Sequence, residues 1–193
     1  GVKSQWVNPG EKMIFKSILD KANISIDSKL TFSISIDDPL GKNVDLISYN
    51  EYFGWYYVTF FTEQMMIPEG TLRRLMFEVM PEIKIRSSFD KPIHISEFGA
   101  GAKYGNHTDE IWSEGYQAKV YAGQLEMLSR NPQVQGISPW ILKDFRAMLR
   151  PLPGIQDFYN RKGLIDENGN RKEAFKILAD FYKNQWDQQI LEN

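Results

Sequence analysis

Stretches with the two-residue period of a β-strand take turns with stretches of helical period along this chain, and that order leaves few folds open. Leu30 to Ile36 reads LTFSISI, with Leu30, Phe32, Ile34 and Ile36 on one face and Thr31, Ser33 and Ser35 on the other. A small polar face of this kind suits a strand whose inner side points to a barrel axis. Further strands are expected at Asp45 to Asn50 (DLISYN), after Pro92 in PIHISEFG, and in QVQGISPWIL from Gln133 to Leu142. Helices are expected at Lys12 to Ala22, Thr71 to Ile85, Glu110 to Arg130 and Lys172 to Gln185, each repeating apolar residues three and four apart. Pro92 stands at a strand entrance, Asn131-Pro132 ends a helix, Lys143 to Asp166 form a Pro- and Gly-rich loop, and Asn168-Gly169 makes a turn after it.

Strands alternating with helices imply a parallel sheet with right-handed crossovers, either doubly wound or closed into a barrel. No GxGxxG or Walker loop follows any strand, so the usual reason for a doubly wound nucleotide fold is missing and the barrel is favoured. At 193 residues the chain is shorter than the roughly 250 of a complete eight-stranded barrel. The expected fold is therefore α/β, of the (β/α)8 barrel type, with only about four βα units present. Barrels gather their chemistry at the C-terminal ends of strands, where Asn50, Tyr52, Glu97, Trp140 and Asp144 fall.

Composition removes several function classes. The net charge is -2, with Lys and Arg scattered singly, so no basic stripe tracks phosphates and nucleic acid is not an expected partner. No apolar run approaches the ~20 residues that cross a bilayer, and no basic-then-apolar leader pattern opens the chain, so no membrane partner is expected. Without cysteine, disulfides, thiol catalysis and thiolate metal sites are excluded, while the compartment stays open. His94 and His107 have no second ligand at metal spacing, and no metal or cofactor is expected. Aromatic residues, 13% of the chain, suit a site where flat rings meet the C–H faces of a sugar, and a large core accounts for them equally well. Glu51, Glu63 and Glu110 carry no motif and are expected to be solvated, and Asp144 with Arg146 is expected to form a structural ion pair.

Four blocks in order, NEYFGWY (Asn50 to Tyr56), ISEFG (Ile95 to Gly99), PWILKDFR (Pro139 to Arg146) and NRKGLI (Asn160 to Ile165), resemble the C-terminal half of the catalytic barrel of glycoside hydrolase family two, which includes β-glucuronidases and β-galactosidases. The resemblance covers nearly the whole chain. It implies that the expected strands are the fifth to eighth of the barrel, that residues 1–193 form the C-terminal part of a catalytic barrel domain, and that Glu97 is the nucleophile of a retaining exo-β-glycosidase. Such an enzyme sets two carboxyl groups ~5 Å apart, one attacking the anomeric carbon and one serving as acid and then base. Asn50 and Tyr52 are expected beside Glu97 to steady its charge, and Trp140 resembles a sugar platform, with Trp55 and Tyr56 as further candidates to line the pocket. Asn160 and Lys162 match the Asn-x-Lys motif with which β-glucuronidase-like members contact the sugar carboxylate, an ammonium and an amide being suited to that anion.

The family's acid/base is a Glu directly after an Asn, and here Asn8 is followed by Pro9, while Glu11 stands at the first turn of a helix, where an acid is favoured by the dipole. Either the fourth strand lies upstream or that Glu is lost. Alone, the chain is expected to be a weak or inert catalyst, since losing a general acid costs ~10²–10⁴ in rate. Four strands cannot close a barrel, so the rest of the barrel or a second copy is an expected partner, besides a β-glycoside, uronides included. The alternatives are a β-galactosidase of the same family and a carbohydrate-binding or scaffold module without chemistry.

Overall fold

A computed structural model describes residues 33–56 and 69–191. The expected first helix, the Asn8 to Glu11 segment and Glu63 lie outside the described residues. Three parallel strands form the sheet that matters for the site: β2 (Ile47–Asn50), β4 (Ile93–Phe98) and β5 (Val134–Pro139), in the order β2-β4-β5. All three fall where the sequence places strands. They lie side by side in the order in which they occur along the chain, the arrangement that strand–helix–strand crossovers produce. Between β4 and β5 runs α2 (Glu114–Ser129), and α3 (Glu173–Leu191) packs on it.

Apolar alternation fixes how this sheet faces its helices. Ile93 and Ile95 are fully buried against Tyr121, Leu125 and Leu128 of α2 and Leu178 of α3, each isoleucine contributing about 1.5–3 kcal/mol of burial. Helix α2 begins four residues later than its apolar period suggests, because the Ser113 side chain accepts a hydrogen bond from Tyr116 N at 3.0 Å and caps the first turn. At the other end Asn131 is buried, its amide donating to Met127 O and Ile83 O while its Oδ1 accepts from Ile85 N.

That Asn131 bridge exposes a correction. The stretch expected as one helix from Thr71 to Ile85 is α1 (Glu69–Val79), a 3-10 turn (Met80–Glu82) and a strand, β3 (Lys84–Arg86). Pro81 lacks the N–H that a helix interior needs and its ring clashes with the preceding turn. Beyond it, Ile83 and Ile85 reach the core with strand alternation. Of the expected strand at Leu30 to Ile36, residues 33–36 are described and hold β1 (Ser33–Ser35), which pairs in parallel with β3, Ile34 opposite Ile85. The long loop after β5 also holds more structure than its Pro and Gly suggest. Two short antiparallel strands, β6 (Phe145–Arg146) and β7 (Tyr159–Asn160), bring the PWILKDFR and NRKGLI blocks together. Among the described residues no helix is long and apolar enough to cross a membrane.

Candidate active site

Strict alternation would send Glu97 to the same face as Ile93 and Ile95, into the helices. It does not go there, because the pairing slips twice at this level. Tyr49 pairs with Ile95 but Asn50 with Glu97, and on the other side the register shifts between Ile95 and Phe98. Irregularities of this kind re-aim side chains at sheet ends. Phe98 takes the buried position and Glu97 is left half-exposed at the C-terminal end of β4.

One described side chain holds the carboxylate. The Tyr52 hydroxyl donates to Glu97 Oε2 at 2.8 Å, from the turn that follows β2. Burial raises the Tyr52 phenol well above its ordinary value, and the bond to Glu97 raises it further, so the hydroxyl keeps its proton and remains a donor. Asn50 stands opposite Glu97 in register and is exposed, its Oδ1 accepting from Ser96 Oγ at 2.7 Å. It borders the carboxylate without bonding to it.

Lys162 reaches the same place from the far end of the chain. It is 4% exposed, donates from Nζ to the Tyr56 hydroxyl at 2.6 Å, and lies over the rings of Tyr56, Tyr52 and Trp55 at 4.8, 5.8 and 5.9 Å. Ring faces attract a cation without neutralising it. No carboxylate pairs with Lys162 among the described residues. Asn160 is buried and its Oδ1 accepts from Lys162 N at 3.1 Å, so its side chain shapes the loop that carries the lysine. Trp140 is half-buried against the cluster of Tyr52, Trp55, Ala100 and Tyr116, with Phe145 edge-on at 6.3 Å. The structure thus brings together Glu97, Tyr52, Lys162 and Trp140, with Asn50 and Asn160 at the margins.

Other expectations change. Asn160, Arg161, Lys162 and Gly163 of the NRKG block are all buried, so the block does not take the form of a solvated loop, the alternative to the carboxylate contact expected of it. Asp144 does not pair with Arg146, which lies over the Tyr159 ring. It accepts instead from Lys172 Nζ with both oxygens at 2.9 Å, from Arg161 Nη1 at 3.3 Å and from Gly163 N at 2.8 Å. A Cβ on Gly163 would stand 2.3 Å from Asp144 N, which is why this position is glycine. Glu51, expected in solvent, is fully buried, whereas Glu110 is exposed near Arg73 as expected. His107 does have acidic neighbours: ligand atoms of His107, Glu114 and Glu173 lie within 4.8 Å of one another. Both Glu114 oxygens are already engaged, by the backbone N–H groups of Gly105 and Glu173.

Sequence reasoning also missed a polar row on α2. Gln117, Tyr121 and Gln124 recur at four and three on the buried face, so the signal was present as helical spacing of residues that are not apolar. Gln117 Nε2 donates to Ala100 O at 2.8 Å and to Gly163 O at 3.1 Å, tying the loop after β4 to the NRKG loop.

Known proteins resemble this chain in fold and sequence. No protein-family profile matches the chain. Among solved structures, a GH2 β-galacturonidase from Eisenbergiella tayi bound to galacturonate is similar with a TM-score of 0.53 and 27% identity, over 72% of this chain and 24% of that one. The Ruminococcus gnavus β-glucuronidase shares the fold at a TM-score of 0.54 and 19% identity, over 94% of this chain and 30% of its own. The chain belongs to glycoside hydrolase family two, and what it has in common with these proteins is their C-terminal part. Its particular relatives include the β-glucuronidase of Streptococcus agalactiae, 28% identical over 147 residues, and that of Sus scrofa, 30% identical over 155 residues. These matches take in 74% and 78% of this chain, which spans 22% of the length of each relative.

Proposed function

We propose that residues 1–193 are the C-terminal part of a glycoside hydrolase catalytic barrel and carry the nucleophile and the uronate contact of a retaining exo-β-glycosidase, with β-glucuronides as its first substrate class. The observation that carries this reading is the meeting of a half-exposed carboxylate, Glu97, held by a tyrosine hydroxyl, with an ammonium, Lys162, held by rings and one hydroxyl. One group suits the anomeric carbon and the other the sugar's own carboxylate.

The chemistry follows from those two anchors. Glu97 forms a bond to the anomeric carbon as the bond from that carbon to the leaving oxygen breaks, and an acid supplied from outside the described residues protonates that oxygen. Water then gives a proton back to that same outside group and bonds to the anomeric carbon as the bond to Glu97 breaks, which releases the sugar and frees the carboxylate. Tyr52 gives the carboxylate a fixed direction, and Trp140 offers a ring face to the sugar. A neutral galactoside would leave the Lys162 charge without a partner, which disfavours the galactosidase reading. The remaining strands of the barrel are contributed by further sequence of the parent or by a second copy.

A 2-fluoro uronyl fluoride tests this directly, because fluoride leaves without a general acid. The expected result is one covalent adduct on the peptide containing Glu97, absent in Glu97→Gln. No adduct with either the uronyl or the galactosyl fluoride, or an adduct elsewhere, would overturn the proposal.

A further inference from the structure

The turn that delivers Tyr52 is anchored by a buried acid that the chemistry above does not use. Glu51 is 0% exposed. Its Oε2 accepts from Phe53 N at 2.8 Å, and its own N donates to Glu97 O at 2.9 Å, so it ties the turn to the strand bearing the carboxylate. From α2, Gln124 Nε2 donates to Phe53 O at 2.8 Å and stands 3.5 Å from Glu51 Oε2. The Tyr116 hydroxyl donates to Gly54 O at 2.6 Å, and Gly54 has the positive φ, 79°, that closes the turn.

Two polar atoms in this knot have no partner, Glu51 Oε1 and Gln124 Oε1. Both are acceptors when Glu51 is ionised, and buried acceptors do not satisfy each other. One proton changes that, since it turns a carboxylate oxygen into a donor, and the Gln124 amide, whose Nε2 is 3.5 Å from the other oxygen of Glu51, has an acceptor to spare. We propose that Glu51 is a positioning residue, kept as a neutral carboxylic acid that donates to Gln124 Oε1, and that this acid–amide pair holds the 51–55 turn from which Tyr52 reaches Glu97.

The surroundings favour the neutral form. Burial pushes the Glu51 carboxyl up to about 8, opposed only by the Phe53 amide. The titratable groups around the turn are Tyr52 itself, Glu97 on β4, and Tyr116 and Tyr121 on α2; Arg73 lies on the Tyr116 ring and Lys162 over Tyr52. Neither cation holds Glu51 in its charged form. The folded value stands above the ordinary 4.5. Between the two, the unfolded chain has released this proton and the folded chain retains it, so stability falls as pH rises through the window and levels off above about 8. Once ionised, Glu51 needs water, and the turn opens and draws Tyr52 away from Glu97.

Only the consequence for Glu97 rests on the glycosidase reading. The test compares the 193-residue chain with Glu51→Gln, which copies the shape and neutrality of the acid. Near neutral pH the infrared difference between them is expected to contain the C=O band of a protonated carboxyl. The urea midpoint of the wild type is expected to fall between pH ~5 and ~8 while that of the variant falls less. A carboxylate band in place of the acid band, or parallel midpoint curves, would refute the inference. Should the variant not fold, the wild type labelled with 13C at glutamate Cδ decides alone: one resonance moving in the alkaline range supports it, and all moving in the ordinary acidic range refutes it. Labelling of Glu97 by the uronyl fluoride is expected to drop above pH ~8 in the wild type and to persist in Glu51→Gln. A chain that never labels counts against the glycosidase reading alone, because the infrared and unfolding results still decide the state of Glu51.

Discussion

Two lysines ten residues apart, Lys162 and Lys172, are both buried, and they are treated in opposite ways. Lys172 Nζ meets both oxygens of Asp144 and the carbonyls of Ala102 and Arg161, with both side chains of the ion pair 0% exposed. Burial works against each charge, raising Asp144 and lowering Lys172, and their mutual attraction works the other way. Lys162 has three ring faces and a tyrosine hydroxyl. A buried cation with a full set of protein partners joins segments of the fold. A buried cation given only neutral partners leaves room for an anion to pair with it, which is the role proposed above for Lys162, and Glu97, held by one hydroxyl, is proposed to meet a ligand in the same way.

The contrast can be broken most forcefully at Lys172. Lys172→Met leaves the buried Asp144 with Arg161 as its one remaining charged partner beside the Gly163 amide and should cost about 3–5 kcal/mol in urea unfolding. Lys162→Met, at similar burial, should change stability by no more than about 1 kcal/mol, because it strands no carboxylate and places an apolar chain among rings. Its effect belongs to the ligand: reaction with the uronyl fluoride at subsaturating probe should fall about 10- to 100-fold while the galactosyl analogue is spared, the size expected for one charged hydrogen bond of ~1.5–3 kcal/mol. Equal losses of stability in the two variants would erase the distinction between them.

How much of this the residues announce depends on the range of the interaction. Strands β2, β4 and β5 were legible because Pro92, Asn131-Pro132 and the β-branched runs act locally. Pro81 carried the same kind of local signal and shows why the helix stops, yet the apolar period ran across it and concealed β3. The half-exposure of Glu97 was not legible, since it comes from register slips against both neighbouring strands. Nor was the Asp144–Lys172 pair, whose members lie 28 residues apart and meet only when β6 and β7 fold the loop back. The burial of Glu51 required knowing that α2 turns a polar row inward, and an acid beside an aromatic turn reads as solvated until its helix is in place.

The smallest effect tests the site side of the comparison. Tyr52→Phe removes the hydroxyl that donates to Glu97 Oε2 and leaves the ring, which packs with Trp55, Ala100, Tyr116 and Val120. Because Glu97 is half-exposed, water replaces part of the lost bond, and the stability cost should stay near ~1 kcal/mol. The carboxylate also becomes freer to turn, and a nucleophile that samples several directions attacks less often along the one that leads to reaction. Labelling of Glu97 should therefore slow by about 10-fold, far short of its abolition in Glu97→Gln. A Tyr52→Phe chain that unfolds as easily as Lys172→Met would make Tyr52 a structural residue, and the hydroxyl at Glu97 would join the ion pair of Asp144 on the other side of the contrast.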